Sequence, residues 1–158
     1  MGYWAITSGS RGPSTALSAQ ETNFAAAWLE ASGQCQADQR PVLLVAYDTE
    51  ACGGLLSVNS SRGLLGLALL LAPAPGPRSR WRVQTAVLPG AAPALAARSP
   101  VARALADNAM APALPLFEAL AAGLATQLAL PLSVGTKLQL MLQLMLQPQA
   151  ENRHFEPP

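Results

Sequence analysis

The sequence predicts an α/β domain, a mixed β-sheet packed with helices, and three observations predict it. Residues 41–48 (PVLLVAYD) form a continuous apolar, partly β-branched run ending in a carboxylate, the pattern of a strand buried on both faces. Just upstream, Phe24, Ala27, Trp28 and Ala31 recur at spacings of three and four, which gives a helix over 21–34 one apolar face. Near the other end, Leu138, Leu140, Leu142, Leu144 and Leu146 alternate with Gln and Met. Leucine at every second position would wrap all round a helix, whereas on a strand it lines one face.

The remaining elements follow in chain order. Residues 3–8 read as the end of a helix, stopped by the loop-forming cluster 8–13 (SGSRGP). A chain that opens on the end of a helix leads us to expect preceding structure, supplied by a partner or by an earlier start. A short strand fits 14–19, and Ser18-Ala19-Gln20-Glu21 then matches the S-x-x-E capping box, with Glu21 reaching back to the Ser18 N–H. Gly33 can end that helix in a left-handed conformation. Residues 63–72 (GLLGLALLLA) read as a second buried strand, broken by 73–77 (PAPGP). Over 80–88, Trp81, Val83, Thr85 and Val87 alternate with Arg82, Gln84 and Ala86, a half-exposed strand at an edge or in a hairpin.

Residues 89–115 are rich in Ala and Pro and predict a loosely ordered excursion with a helical patch at 101–107. A helix over 116–124 ending near Gly123, a strand over 127–132 and the alternating strand over 137–147 complete the pattern. The strands beginning at Ser14, Pro41, Gly63 and Arg80 are expected in one mixed sheet, with 138–146 added. The predicted organisation is one domain, 1–147, followed by a flexible polar tail, 148–158.

Composition narrows the function. Charged residues are 12% of the chain and apolar ones 51%, so polar material to coat an isolated surface is scarce and an oligomer or hetero-complex is favoured. The formal net charge is +1 with no dense Lys/Arg stretch, which leaves nucleic-acid binding without an electrostatic footing. Cys35 and Cys52 lack CxxC spacing and His154 is the sole histidine, which argues against a metal site and a disulfide framework. Both thiols are expected to stay reduced. No secretory signal is visible, and the apolar stretch 119–146 is interrupted by Pro131 and Lys137, so cytoplasmic residence without a membrane span is expected. No cofactor is expected.

The first thirty residues carry a family resemblance. Residues 2–19 (GYWAITSGSRGPSTALSA) resemble the β-ketoacyl synthase stretch that runs from a helix through a Gly-Pro-Ser loop into the strand before the nucleophile. Residues 23–31 (NFAAAWLEA) are similar to the helix that follows in a short ketosynthase-like group accompanying true ketosynthases in aryl polyene type clusters. The resemblance implies a partial thiolase-like fold. It also implies a strand at 14–19 on a dimer interface and a nucleophile position at the start of the next helix. Laid without gaps from Pro13, that position falls on Glu21; with one deletion it falls on Gln20.

Neither residue is a thiol. A helix N-terminus stabilises a thiolate, but an amide or carboxylate there cannot form the acyl thioester on which condensation depends. Glutamine at this position resembles the chain-length-factor subunits of polyketide synthases. The resemblance therefore implies a non-catalytic subunit that pairs with an active ketosynthase, or with itself, and meets acyl carrier protein indirectly. Its pocket or interface candidates are Ser14, Thr15, Ser18, Gln20, Glu21 and Phe24. The family's two histidines have no counterpart, since His154 sits in an unrelated context, NRHF. Two other readings stand beside this one: a decarboxylase or acyltransferase acting on carrier-protein thioesters, and a truncated remnant without independent activity. Asp48 ends a central strand, where α/β folds place functional groups, although a loop or turn carboxylate is the simpler account.

Overall fold

The computed structural model describes residues 6–19 and 22–145 of the chain. Residues 6–8 are helical, and no strand forms over 14–19. The first long element is helix α1, Asn23–Asp38. Strand β1, Val42–Asp48, follows, then a 3₁₀ turn at Gly53–Ser57, β2 at Leu65–Leu71 and β3 at Trp81–Pro89. A short helix α2, Pro100–Ala104, a 3₁₀ turn at Ala111–Ala113 and helix α3, Leu114–Ala121, lead to β4, Thr126–Ser133, and β5, Thr136–Leu144.

The α/β class stands, but the sheet is divided. β1 and β2 form a two-stranded antiparallel ribbon, and β3, β5 and β4 form a separate three-stranded antiparallel sheet in that order. The expected single mixed sheet is therefore corrected. The 14–19 segment runs alongside α1, where Gln34 Nε2 donates to Thr15 Oγ1 at 3.0 Å, rather than pairing with β1. As predicted, β3 is an edge strand.

The core lies where α1 and α3 meet the inner faces of both sheets. Leu128, Leu130, Leu138, Leu140 and Leu142 point inward, together with Phe24, Ala25, Trp28 and Ala31 from α1, Leu116 and Ala119 from α3, and Leu44, Ala46 and Leu65 from the ribbon. Every second residue of β5 is buried from Leu138 to Leu142, which is the period-two reading of the sequence realised. Leu144 is exposed, and Leu146, like the rest of the 146–158 segment with its predicted tail, lies outside the described residues.

Helix α1 departs from its prediction at both ends. Its N-cap is Thr22, not Ser18, and no side chain caps it. The turn before it is held instead by Thr22 Oγ1 donating to the Ala19 carbonyl at 3.0 Å and by Asn23 Oδ1 accepting from the Ala19 N–H, local bonds that compete with an earlier helical start. The helix runs through Gly33, because the buried Cys35 anchors its last turn, and it ends where Gln39 adopts a left-handed φ of 51°. Residues 89–115 are better organised than composition suggested. Ser99 caps α2 by accepting from the Ala102 N–H at 3.1 Å, and two further turns follow directly.

Candidate functional site

The entrance of α1 is where the sequence placed the site, and the structure describes it on both sides of Gln20 and Glu21, which themselves lie outside the described residues. Ser14, Thr15 and Ser18 are exposed on the approach. Phe24 is buried, its ring centroid 6.2 Å from that of Trp28 and 6.0 Å from that of Phe117, in tilted and edge-on arrangements. Trp28 extends the contact by donating its indole N–H to Thr85 Oγ1 on β3 at 3.1 Å. The four described candidates thus divide into three exposed hydroxyls before the turn and a core aromatic after it, with Thr15 tied to α1 through Gln34.

Neither thiol is at that entrance. Cys35 is buried in the last turn of α1, roughly 18 Å along the axis from Asn23 at the usual helical rise. Cys52 is exposed in the loop after β1, as N-cap of the 3₁₀ turn. Among the described residues no group of three or more His, Cys, Asp or Glu could hold a metal ion, and no helix is long and apolar enough to cross a membrane.

A cavity of about 340 Å³ opens between the 92–97 segment, the Ala111–Ala113 turn and β4. Ala, Pro and Leu side chains alone line it, among them Leu95, Ala102, Pro112, Leu114 and Pro131. Pro112 and Pro131 also border a small cleft with Thr22, Phe24 and Ala25, so the apolar space reaches the start of α1. Sequence reasoning missed this cavity. The Ala/Pro composition of 89–115 was the available signal, since small and kinked residues leave space that large ones would fill.

Sequence reasoning also missed a polar cluster at the end of β1. Ser61 is buried; its hydroxyl donates to Asp48 Oδ2 and accepts from the Ala109 N–H at 2.9 Å. Buried Asn108 donates to the carbonyls of Arg62 at 3.0 Å and Gly63 at 3.3 Å, and accepts from the Met110 N–H at 3.0 Å. Every bond described in the cluster closes on a loop backbone or on Asp48, whose carboxylate is the acceptor of the Ser61 hydroxyl. It joins the loop after β1 to the loop after α2, and Asp48 is a structural acceptor within it.

Glu118 on α3 completes the electrostatics. It accepts from the Arg98 N–H at 3.0 Å and the Ser99 N–H at 2.6 Å, and the first of these, then the Ser99 hydroxyl and N–H, hold its carboxyl below the usual glutamate range. A lowered folded-state pKa stabilises the chain above the unfolded pKa, and that contribution disappears as pH falls through the folded one. Glu118→Gln is expected to flatten the acid side of the melting-temperature profile below about pH 5 while leaving its neutral plateau lower. A thermal melt series from neutral to acid pH measures both.

Comparison with known proteins comes to one positive finding. No curated protein and no solved structure matches the chain. Residues 1–130 match the family model described as "Beta-ketoacyl synthase, N-terminal domain". That span takes in the 14–19 approach, helix α1, the Asp48 cluster and the walls of the apolar cavity other than Pro131, so the chain belongs to the β-ketoacyl synthase N-terminal domain family.

Proposed function

We propose that this chain is a non-catalytic ketosynthase-like subunit, comparable to a chain-length factor, which pairs with an active β-ketoacyl-ACP synthase during fatty-acid or polyketide chain extension of the aryl polyene type. One observation carries the reading: a member of a thiol-dependent family has no cysteine anywhere in its first thirty-four residues, the stretch that includes the entrance of α1. Gln20 or Glu21 stands at the nucleophile position, and neither forms a thioester. Ser14, Thr15 and Ser18 are the exposed groups offered to the partner, and the apolar space behind Phe24 is available to shape a tunnel wall. Acyl carrier protein is met through the partner. The reading places the pair in the cytoplasm, and no helix among the described residues is long and apolar enough to cross a membrane.

The test is covalent loading. Incubated with acyl- and malonyl-carrier-protein thioesters, the purified chain is expected to show no acyl mass increment by intact mass spectrometry and no decarboxylation product. An acyl adduct on Cys35 or Cys52, or turnover lost in Gln20→Ala or Glu21→Ala, contradicts the proposal in favour of the acyltransferase or decarboxylase reading.

A further inference from the structure

The apolar cavity beside β4 has walls of two kinds. Ala102 on α2, Leu114 on α3 and Ala129 on β4 line it from regular elements. The opposite wall is irregular chain: residues 91–97 make no backbone hydrogen bond to any other described residue. We propose that the cavity is a binding site for a small uncharged apolar molecule, and that residues 91–97 are a strap over it which Glu118 latches.

The lining defines the ligand. Ala, Pro and Leu side chains alone face the space, so a charged group placed inside it would lose its water and gain no side-chain partner. An uncharged apolar molecule pays no such penalty and exchanges water contact for packing. Size narrows the class further. At about 340 Å³ the space is more than twice the about 150 Å³ of a dry apolar cavity that holds one benzene ring, which suits a pair of fused rings or a hydrocarbon of similar bulk.

The strap is tied at its two ends. Before it, the Gly90 N–H donates to the Gly135 carbonyl at 2.9 Å. After it, Glu118 on α3 accepts from the Arg98 N–H at 3.0 Å and the Ser99 N–H at 2.6 Å, and the Arg103 guanidinium donates to the Arg98 carbonyl at 2.6 Å. The bonds at this second tie involve charged groups and are the stronger for it. Between the ties, Leu95 and Ala97 rest half-buried on the core by apolar contact. A segment held in this way opens locally at lower cost than the elements around it, and one carboxylate sets how often it lifts. The Glu118 bonds are the same with the cavity empty or filled, so the latch governs entry and exit rather than affinity. Site and latch belong to this chain alone and hold with or without a ketosynthase partner.

Titration of the full chain with fluoronaphthalene, followed by fluorine NMR, tests both parts. Saturable binding is expected. Naphthoate, which adds a carboxylate to the same rings, is expected to displace the probe at least about tenfold less effectively than naphthalene does. Ala129→Phe fills the space from β4, and Ala106→Phe fills it from an exposed position whose substitution spares the core; each is expected to weaken binding by about tenfold or more. Circular dichroism and melting temperature are the folding control. Glu118→Gln is expected to speed exchange of the bound probe by about tenfold, as loss of a charge-assisted hydrogen bond does, with Kd changed by less than about twofold. Absence of saturable binding, naphthoate competing as well as naphthalene, or binding indifferent to Ala106→Phe overturns the site. Exchange in Glu118→Gln at the wild-type rate overturns the latch.

Discussion

Trp28→Ala is expected to lower the unfolding free energy by about 3–5 kcal/mol, the range for removing a large aromatic from a packed core. Trp28 is buried between Phe24 and the β3 strand, and its indole N–H is the bond that ties α1 to Thr85. Two losses therefore coincide: the ring volume packed against Phe24, and the hydrogen bond across elements far apart in sequence. Trp28→Phe separates them. It keeps most of the apolar volume and is expected to cost the lesser share, with a hydrogen-bond part of about 0.5–1.5 kcal/mol. Urea unfolding of the three proteins, compared at equal slope, measures each share. A Trp28→Ala loss below about 1 kcal/mol would show that α1 does not hold the two sheets together.

Leu140→Ala is expected to cost about 2–5 kcal/mol, with Leu144→Ala close to neutral. Leu140 is fully buried on the central strand of the three-stranded sheet, paired with Thr85 on one side and Leu128 on the other. Leu144 belongs to the same leucine series yet is 48% exposed, at the end of the strand. The contrast isolates burial from composition: same residue type, same strand, different surroundings. Urea melts with a stability difference near zero between the two variants would mean that β5 does not present its leucines to a common core.

How much of this was legible beforehand depended on the range of the interactions involved. Period two in the leucines and period 3.6 in Phe24, Ala27, Trp28 and Ala31 are local patterns, and both became the expected elements. Pairing is not local. The ribbon and the three-stranded sheet are separate because β3 pairs with β5, more than fifty residues onward, and no feature of 80–88 names that partner. Reading β1 and β2 as buried on both faces is overturned. Their residues are apolar almost throughout, but exposure alternates along both strands, with Leu43, Val45, Tyr47 and Leu70 exposed, because burial depends on what lies on top and not on the strand's own composition. Glu21 completed a four-residue capping signature, while Thr22 and Asn23, the residues whose side chains hold the actual turn, match no such signature and were passed over. For the proposed site, the absence of any cysteine before Cys35 was readable from residue types alone. The Ser61–Asp48–Asn108 cluster was not, because it joins loops separated by more than forty residues.

Co-expression with an active β-ketoacyl-ACP synthase, followed by size-exclusion chromatography with mass determination, tests most directly whether this chain serves as a silent subunit. A single peak holding both polypeptides in equal number, whose condensing activity is lost when the synthase's own cysteine is replaced, is the predicted result. Separate elution of the two proteins, with the synthase extending chains identically in its absence, would contradict the account.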